Sequence, residues 1–304
     1  MRTSGDHALL RELSDDTDSG ESSPQGALHS NGPTRPQTRA EGATPTLVRL
    51  LRSARTVMHL LGGLSTTVFV FPWIGPAAKQ KLIARWCRQL LAMLEVEPRV
   101  HWRHESGMPG NVLIVANHIS WLDIFVLCSF QPARFIAKAD LRRLPVVGRL
   151  IANVGTLFIE RERRRDTHTV NRHTVEVLAR GDIVAVFPEA TTSDGTGLLK
   201  FHSSLLQSAV DAKAHVQPIA IRYRTAAGEL CLAPAYVGEL SLVGSFWRVT
   251  GERRMTAELI VMPAFPAGNA NRRELSRAAE DAIRTALALP ARVPAPGTRA
   301  GRPA

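Results

Sequence analysis

A histidine and an aspartate lie five positions apart in the segment NHISWLD, as His118 and Asp123. Histidine is well suited to accept a proton near neutral pH, and an adjacent carboxylate can fix its tautomer and stabilise the imidazolium. Among the ten histidines of the chain, only His118 has an aspartate five residues later. Two interpretations stay open, because an aspartate three residues after Ser120 is equally typical of a helix cap.

The neighbouring residues place this pair between a strand and a helix. Val112–Ala116 is apolar and rich in β-branched residues, which is typical of a buried parallel strand. The apolar segment Ser120–Phe130 predicts a helix. His118 would therefore lie at the carboxyl end of a strand, where open α/β sheets bind their ligands.

Two further polar loops follow predicted strands. Arg161 comes after Thr156–Ile159, and an arginine there is suited to bind a phosphate or carboxylate, although the three arginines close behind it are more typical of a solvated surface. Glu189 comes after Ile183–Phe187 in the segment PEATTSDG, which an ordinary polar turn would also explain. The carboxyl ends of parallel strands share one edge, so we expect the three loops to lie together.

Strands and helices alternate from residue 100 onward. The predicted strands are Val112–Ala116, Arg134–Ala137, Thr156–Ile159, Ile183–Phe187, Val216–Tyr223, Glu229–Leu232 and Ala257–Met262. The predicted helices are Ser120–Phe130, Pro145–Ala152, Asp166–Arg180, Ser203–Ala212 and Asn271–Ala288. This alternation predicts an α/β domain over residues 99–289, with a mostly parallel sheet covered by helices on both faces.

An apolar segment precedes this domain. Between Arg55 and Lys79 lie 23 residues without a full charge, enough to cross a hydrocarbon layer about 30 Å thick. Both flanks are basic, whereas a single span carries positive charge mainly on its cytoplasmic side. The next segment, Lys79–Leu94, has one apolar face. We expect residues 46–98 to form a membrane-associated helical hairpin in one leaflet, with a buried helix pair as the alternative.

Composition bounds the remaining possibilities. Residues 1–45 and 290–304 are poor in large apolar residues and are predicted to be disordered tails, and the first of them contains no secretory signal. The formal charge is +11, of which residues 1–45 contribute −3 and the rest +14. A basic body suits an anionic membrane surface or nucleic acid, but no nucleic-acid-binding motif accompanies it. The three cysteines are widely spaced, which predicts neither a disulfide framework nor a zinc site and fits a reducing compartment.

Four blocks of the sequence, taken in order, resemble those of the glycerolipid acyltransferase family, which includes the bacterial 1-acyl-glycerol-3-phosphate acyltransferases. The blocks are HISWLD at 118–123, GTLFIER at 155–161, FPEATTS at 187–193 and VQPIA at 216–220. A bare H-x4-D is a weak signal, so the resemblance depends on the order and spacing of all four blocks. It covers roughly residues 46–265.

The resemblance implies a direct acyl transfer without a metal or cofactor. His118 resembles the general base that takes the proton of the acceptor hydroxyl, and Asp123 resembles its orienting carboxylate. The hydroxyl would attack the thioester of acyl-CoA or acyl-carrier protein. The implied acceptor-binding residues are Arg161, Glu189, Thr191 and Thr192. The implied supporting residues are Asn117, Phe158, Phe187 and Pro188.

The third block departs from the usual FPEGTRS at two positions. Ala190 replaces glycine, which we expect to be tolerated only if that residue has a negative φ. Thr192 replaces arginine, which removes a bidentate phosphate donor. The run TTSDG also resembles a subgroup that includes lyso-ornithine-lipid acyltransferases, whose acceptor has no phosphate.

These implications lead to one expected activity and three alternatives. We expect an acyltransferase on the cytoplasmic face of the cell membrane, in contact with anionic lipids, that acylates a lysolipid such as 1-acyl-sn-glycerol-3-phosphate. Lyso-ornithine lipid is the alternative acceptor. A non-catalytic lipid-binding protein on the same fold is the alternative of another class, and nucleic-acid binding is disfavoured.

Overall fold

The structure is a computed structural model that describes residues 44–105, 107–144, 146–159 and 164–290. It begins with two helices, α1 (Thr46–Phe69) and α2 (Pro76–Met93), which a 3₁₀ turn at Phe71–Trp73 connects. The strands are β1 (Val96–Trp102), β2 (Val112–Ala116), β3 (Arg134–Lys138), β4 (Leu157–Ile159), β5 (Ile183–Val186), β6 (His215–Arg224), β7 (Met255–Val261) and β8 (Phe265–Pro266). The remaining helices are α3 (Leu122–Phe130), α4 (Val147–Asn153), α5 (Arg164–Ala179), α6 (Gln207–Asp211), α7 (Leu242–Gly251) and α8 (Arg272–Ala286), with 3₁₀ turns at Ala139–Arg143 and Ser203–Leu206.

Within the described residues, the strands form one mostly parallel sheet in the order β1-β7-β6-β2-β5-β3-β4, and β8 pairs with β6. The pairs β6–β7 and β6–β8 are antiparallel, and the other pairs are parallel. Strand β2 lies near the centre, where Val112 is in register with Ile183 of β5 and His215 of β6. The predicted α/β architecture is therefore confirmed.

Helices cover both faces of the sheet, which explains the continuous apolar run in β2. All five residues of β2 are buried. Leu113 and Val115 pack in a core with α5, α6 and α8, whereas Ile114 and Ala116 pack on the other face with α2 and α3. A strand that is covered on both faces needs an apolar residue at every position.

Three elements escaped prediction because their sequences lack the usual patterns. In β1 only Val96 is buried, and this edge strand carries Pro98 and exposed charges. It also crosses the predicted domain boundary at residues 98 and 99, and the division into domains stays a prediction. Helix α7 is short and carries two glycines, and β8 has two residues. The predicted tails lie almost entirely outside the described residues.

The predicted strand Glu229–Leu232 is wrong. This segment makes only an isolated bridge, between Leu230 and Arg224 of β6. Three residues before Arg224 in β6, the side chain of Asn117 hydrogen-bonds to both the N–H and the carbonyl oxygen of Ile221. The segment pairs with β6 only as far as Tyr223, whose carbonyl oxygen accepts from the N–H of Cys231 at 2.9 Å, and the groups of Ile221 beyond it are already paired.

Helix α1 presents its apolar side to the outside. Its buried residues are Arg52, Thr56, Gly63 and Thr67, all of them polar or small. The exposed apolar residues of α1 and of the turn that follows are Leu47, Leu50, Leu51, Val57, Met58, Leu61, Val68, Phe69, Val70 and Trp73. We call this set the outward face of α1. Among the described residues, the stretch Thr46–Trp73 is the one helical segment that is long and apolar enough to cross a membrane. Within its apolar 18-residue part, 22% is buried.

Helix α2 behaves differently from the prediction for Lys79–Leu94. Its predicted apolar face is turned inward: Leu90 and Leu94 are buried in the core, and Ile83 and Trp86 pack against that core. The alternative of a buried helix therefore holds for α2. The predicted membrane-associated hairpin stays a prediction, now supported by α1 alone.

The first turns of α1 are attached to the end of α7. The guanidinium of Arg52 donates to the carbonyl oxygens of Thr250 and Glu252, at 2.9 and 2.8 Å, and forms an ion pair with Glu95. A cation is favourable at a helix carboxyl terminus, where the carbonyl groups lack partners. Arg52, one of the basic residues that precede the uncharged segment, is therefore a buried link between α1 and the α/β domain.

Gly63 allows α1 to approach α2 closely. A Cβ atom at this position would lie 2.6 Å from Nε1 of Trp86. The indole stacks on His59 with a centroid distance of 4.7 Å and donates to the carbonyl oxygen of His59 at 3.2 Å. The ring is thus held from two sides and has little freedom to move. At Gly62 a Cβ atom would meet nothing within 4 Å.

We expect the two adjacent glycines to respond oppositely to alanine. Gly63→Ala should lower the free energy of unfolding by about 1–3 kcal/mol because the new methyl group overpacks against Trp86. Gly62→Ala should raise it by up to about 1 kcal/mol, since alanine is the better helix former. Thermal unfolding of both variants in detergent measures the difference. Equal shifts of the same sign would show that the α1–α2 contact does not contribute to stability.

Candidate active site

His118 and Asp123 form a hydrogen-bonded pair at the carboxyl end of β2. Nδ1 of His118 lies 2.8 Å from Oδ2 of Asp123. The Asp123 side chain is fully buried, whereas that of His118 is 19% exposed. The aspartate sits in the first turn of α3 and reaches back to the loop that carries the histidine.

The Asp123 carboxylate is also the cap of α3. Oδ2 accepts hydrogen bonds from the backbone N–H groups of Ile119 and Ser120, at 2.7 and 2.9 Å. Oδ1 accepts one from the hydroxyl of Tyr223 at 2.7 Å. The two interpretations of the sequence, a helix cap and a His–Asp pair, therefore hold together in one carboxylate.

This geometry leaves one nitrogen of His118 available. With the carboxylate facing it, Nδ1 carries the hydrogen and donates, so Nε2 of a neutral ring is an unprotonated acceptor. No hydrogen bond to Nε2 occurs among the described residues. The ring stacks on Phe187 with a centroid distance of 4.0 Å and an interplanar angle of 9°. The imidazole is therefore held in place with its basic nitrogen free.

The loop before α3 is attached to β6 through Asn117. Its side-chain amide donates to the carbonyl oxygen of Ile221 at 3.0 Å and accepts from the N–H of Ile221 at 2.7 Å. Asn117 thus continues the pairing of β2 with β6 by one side chain after the strand itself ends. The supporting role that the resemblance implied for Asn117 stays a prediction.

Glu189 supports the His118 loop and does not face an open site. Its side chain is buried; Oε1 accepts from the N–H of His118 at 2.9 Å and Oε2 accepts from the N–H of Leu199 at 3.0 Å. Burial raises the pKa of Glu189 to about 7, against the two hydrogen bonds that favour the charged form. Each oxygen accepts from a backbone N–H, and the acceptor-binding role that the resemblance implied for Glu189 stays a prediction.

Thr192 connects the third block to a neighbouring loop. Its hydroxyl donates to the carbonyl oxygen of Tyr236, whose own N–H donates to the carbonyl oxygen of Ile119 at 3.0 Å. The N–H of Ser193 donates to the carbonyl oxygen of His118 at 2.8 Å. The hydroxyl hydrogen of Thr192 is thus committed within the protein, while Thr191 is exposed.

Ala190 has a φ of +63°, so the expectation of a negative φ at this position is wrong. A left-handed conformation costs an alanine about 1–2 kcal/mol. The residue lies between Glu189 and Ser193, which both bind the backbone of His118, and its own N–H donates to the carbonyl oxygen of Phe187 at 3.1 Å. The surrounding contacts hold the turn and offset the strain, as is usual at functional sites.

The residues of the second block lie farther from the pair. Strand β4, which contains Phe158, is separated from β2 by β5 and β3, a distance of about 14 Å at the usual strand spacing. The Phe158 ring lies under the guanidinium of Arg142 at 5.8 Å. Arg161 lies outside the described residues. Pro188, in the third block, accepts from the N–H of His202 at 2.8 Å.

An apolar cavity of about 70 Å³ lies between α1, α2, α3 and α4. The residues that line it include Trp86, Cys87, Phe125, Cys128 and Phe135. The Phe135 ring lies 5.8 Å from the ring of Phe187, which in turn stacks on His118. The rings of Phe135 and Phe187 therefore lie between the cavity and the imidazole.

Sequence reasoning missed Tyr223 as a member of this site. It lies 100 residues from Asp123 and just beyond the fourth block, so no local spacing connects the two. The one available signal was its type, because a tyrosine in an otherwise apolar central strand needs a buried partner for its hydroxyl.

The raised pKa of Glu189 predicts a pH dependence of stability. Between its usual range and about pH 7, the folded state holds a proton that the unfolded state has released, so the free energy of unfolding falls as pH rises, by at most about 1.4 kcal/mol per pH unit. Glu189→Gln should remove this part of the pH dependence of the free energy of unfolding. Chemical denaturation of both proteins across this range measures it, and parallel pH curves would contradict the prediction.

Comparison with known proteins gives concordant results. A family model described as Acyltransferase matches residues 97–222. The chain is 38% identical over 214 residues to a 1-acyl-sn-glycerol-3-phosphate acyltransferase of Neisseria meningitidis, covering 70% of this chain and 83% of the relative. It is 36% identical over 250 residues to a lyso-ornithine lipid O-acyltransferase of Pseudomonas aeruginosa, covering 78% and 93%.

The fold has a counterpart among crystal structures. The 1-acyl-sn-glycerophosphate (LPA) acyltransferase PlsC of Thermotoga maritima superposes with a TM-score of 0.60, at 22% identity, over 80% of this chain and 94% of the other. At this identity the likeness concerns the fold alone. Together with the two relatives that are more than 30% identical over most of their length, these matches show that the chain belongs to the acyltransferase family and is an acyltransferase.

Proposed function

We propose that this acyltransferase moves a fatty acyl group from a thioester donor, acyl-CoA or acyl-carrier protein, to the free hydroxyl of a lysolipid such as 1-acyl-sn-glycerol-3-phosphate, in membrane phospholipid synthesis. The observation that carries the proposal is the His118–Asp123 pair, with Nδ1 bound to the carboxylate and Nε2 free at the carboxyl end of β2. Relatives whose names specify lysolipid acceptors support it.

The proposed step is a direct transfer in which His118 acts first as base and then as acid. Nε2 takes the proton of the acceptor hydroxyl while its oxygen attacks the thioester carbonyl carbon. As the tetrahedral intermediate collapses, the C–S bond breaks and His118 returns the proton to the leaving sulfur, giving an ester and a free thiol. Asp123 stabilises the imidazolium between these events. No metal or cofactor takes part in the proposed step.

The apolar cavity suits the acyl chain. It is lined almost entirely by apolar side chains and lies behind Phe135 and Phe187, on the side of the site that faces α1 and α2. An acyl chain that reaches this cavity would leave water for an apolar interior. This position would bring the thioester carbon close to His118.

A second acceptor, lyso-ornithine lipid, is favoured by one specific observation. At Thr192, where arginine is usual, the hydroxyl hydrogen is bound to the Tyr236 carbonyl, and Glu189 is bound to backbone amides. Neither side chain offers a donor to a phosphate. A head group without phosphate fits this loop, whereas Arg161 remains the proposed residue for binding an acidic head group.

We further propose that α1 lies in one leaflet at the cytoplasmic face, with its outward face in contact with lipid. An exposed apolar area of this size is typical of a binding surface. The inner side of α1 contacts the α/β domain along its length, from Arg52 at α7 to Thr67, whose hydroxyl accepts from the side chain of Asn153 at 2.8 Å. This packing favours a position in the plane of the membrane, because a spanning helix would draw the attached domain towards the bilayer.

The catalytic proposal predicts that His118→Ala lowers acyl transfer by about 10²–10⁴-fold. Wild type and variant are assayed in detergent–lipid micelles with lysophosphatidate and with lyso-ornithine lipid, using either thioester donor. His173→Ala, an exposed histidine on α5, serves as the control and should keep wild-type activity. Unchanged transfer to every acceptor by His118→Ala would contradict the proposal, and absence of transfer to both lysolipids by wild type would contradict the proposed acceptor class.

The membrane proposal predicts that two charges on the outward face of α1 release the protein from lipid. Leu50→Glu/Leu61→Glu should reduce binding to vesicles with anionic lipid at least tenfold, because a carboxylate is costly in the acyl region. Arg172→Glu on α5 changes the net charge by the same amount and is the control. Flotation of the purified proteins measures binding. Equal loss in both variants would mean that charge alone attaches the protein.

A further inference from the structure

Tyr223 contacts the proposed catalytic pair but has no part in the transfer step described above. Its side chain is 1% exposed, and its hydroxyl donates to Oδ1 of Asp123 at 2.7 Å. Burial raises the pKa of Tyr223 well above its usual range, so the phenol stays protonated and remains a donor. A neutral donor to a carboxylate is a strong, charge-assisted hydrogen bond.

The donors to Asp123 are divided unequally between its two oxygens. Oδ2 receives three: Nδ1 of His118 and the N–H groups of Ile119 and Ser120. Within the described part of the chain, Oδ1 receives one, from Tyr223. Since Asp123 is fully buried, water does not replace this donor. The charge on Oδ1 therefore depends on a single hydroxyl.

Strand β6 holds both ends of the segment that carries His118. Ile221 binds Asn117 at the start of the segment, and Tyr223, two residues later, binds Asp123 at its end. The backbone of Tyr223 is fixed as well, because it is in register with Ala257 of β7 and its carbonyl oxygen accepts from the N–H of Cys231 at 2.9 Å. The hydroxyl thus comes from a rigid support, as a positioning group requires.

We propose that Tyr223 is a positioning residue of the acyl transfer, whose hydroxyl keeps the Asp123 carboxylate charged and oriented so that His118 presents a basic Nε2 to the acceptor. The inference rests on the proposed function and deepens it. Tyr223 touches neither substrate nor the reacting atoms in this arrangement and acts through Asp123.

Removal of the hydroxyl should change the pH dependence of the reaction. In Tyr223→Phe, Oδ1 is left without a donor in the interior, so the charged carboxylate loses stabilisation relative to the protonated form. A protonated Asp123 no longer accepts from Nδ1–H of His118, so Nε2 becomes a poorer base. The other titratable groups beside the pair are Glu189, bound to the His118 amide, and Cys231, next to Tyr223, and both are retained in the variant.

The test compares Tyr223→Phe with wild type in kcat and KM for the lysolipid across the neutral and alkaline pH range. We expect kcat to fall about tenfold at neutral pH, KM to stay unchanged, and the acid limb of the kcat profile to move up by about one pH unit, so that activity partly recovers at alkaline pH. The control is Thr174→Val. Thr174 is buried in α5, and its hydroxyl donates to the Val170 carbonyl at 2.7 Å, away from the site. This variant should keep the wild-type profile.

A second measurement serves if Tyr223→Phe folds poorly. The chain has two tyrosines, so 3-fluorotyrosine incorporated into a Tyr236→Phe background labels position 223 alone. A fluorinated phenol is a stronger donor, and the acid limb should then move to lower pH, opposite to the effect of Tyr223→Phe. The comparison is made with the unlabelled protein of the same background.

The proposal is overturned if the pH profiles of Tyr223→Phe and of the fluorinated protein superimpose on those of their references, even where kcat is reduced at every pH by one factor. A kcat that is lowered by the same factor at every pH would mean only that less of the variant is folded. This outcome differs from a failure of the proposed function, in which His118→Ala itself retains full transfer activity.

Discussion

The hydrogen bonding of one buried carboxylate determines how the site is built. Asp123 is fully buried, and a buried charge is tolerated only when its oxygens are fully paired. Four donors meet this requirement: two backbone amides at the start of α3, the imidazole of His118 and the hydroxyl of Tyr223. The same bonds cap a helix, choose the tautomer of the histidine and attach α3 to β6. Loss of any one donor therefore affects both folding and chemistry.

The loops around this carboxylate are connected mainly through backbone groups. Glu189 and Ser193 both bind the backbone of His118, and Thr192 binds the Tyr236 carbonyl. The third block thus serves first to shape the loop that carries the histidine. It does so tightly enough to hold Ala190 at a positive φ, a conformation that the family's usual glycine adopts without strain.

Helix α1 shows how tertiary packing can reverse the meaning of a sequence pattern. Its polar and small residues face the protein, and its leucines face outward, the reverse of a helix on the surface of a water-soluble domain. Arg52, a flanking charge by sequence, is buried against the end of α7. The neighbouring α2, which has a comparable apolar face, is instead a core helix. The two helices differ because α2 packs in the core beside α3 and β1, whereas α1 lies outside that core against α2, α4 and α7.

Local sequence by itself determined the parallel α/β sheet, the position of His118 at the end of β2 and the pairing of His118 with Asp123. These features depend on apolar periodicity and on contacts within five residues, both of which are visible in a linear pattern. Tertiary structure alone decided the hydroxyl of Tyr223 on Asp123, the commitment of Glu189 and Thr192 to backbone groups, and the outward face of α1. Each of these depends on contacts across dozens of residues or more, where the partner is chosen by strand order and helix packing. It also decided that Glu229–Leu232 is no strand: the segment makes one isolated bridge with β6, and Asn117 pairs with Ile221, where a longer ladder would continue.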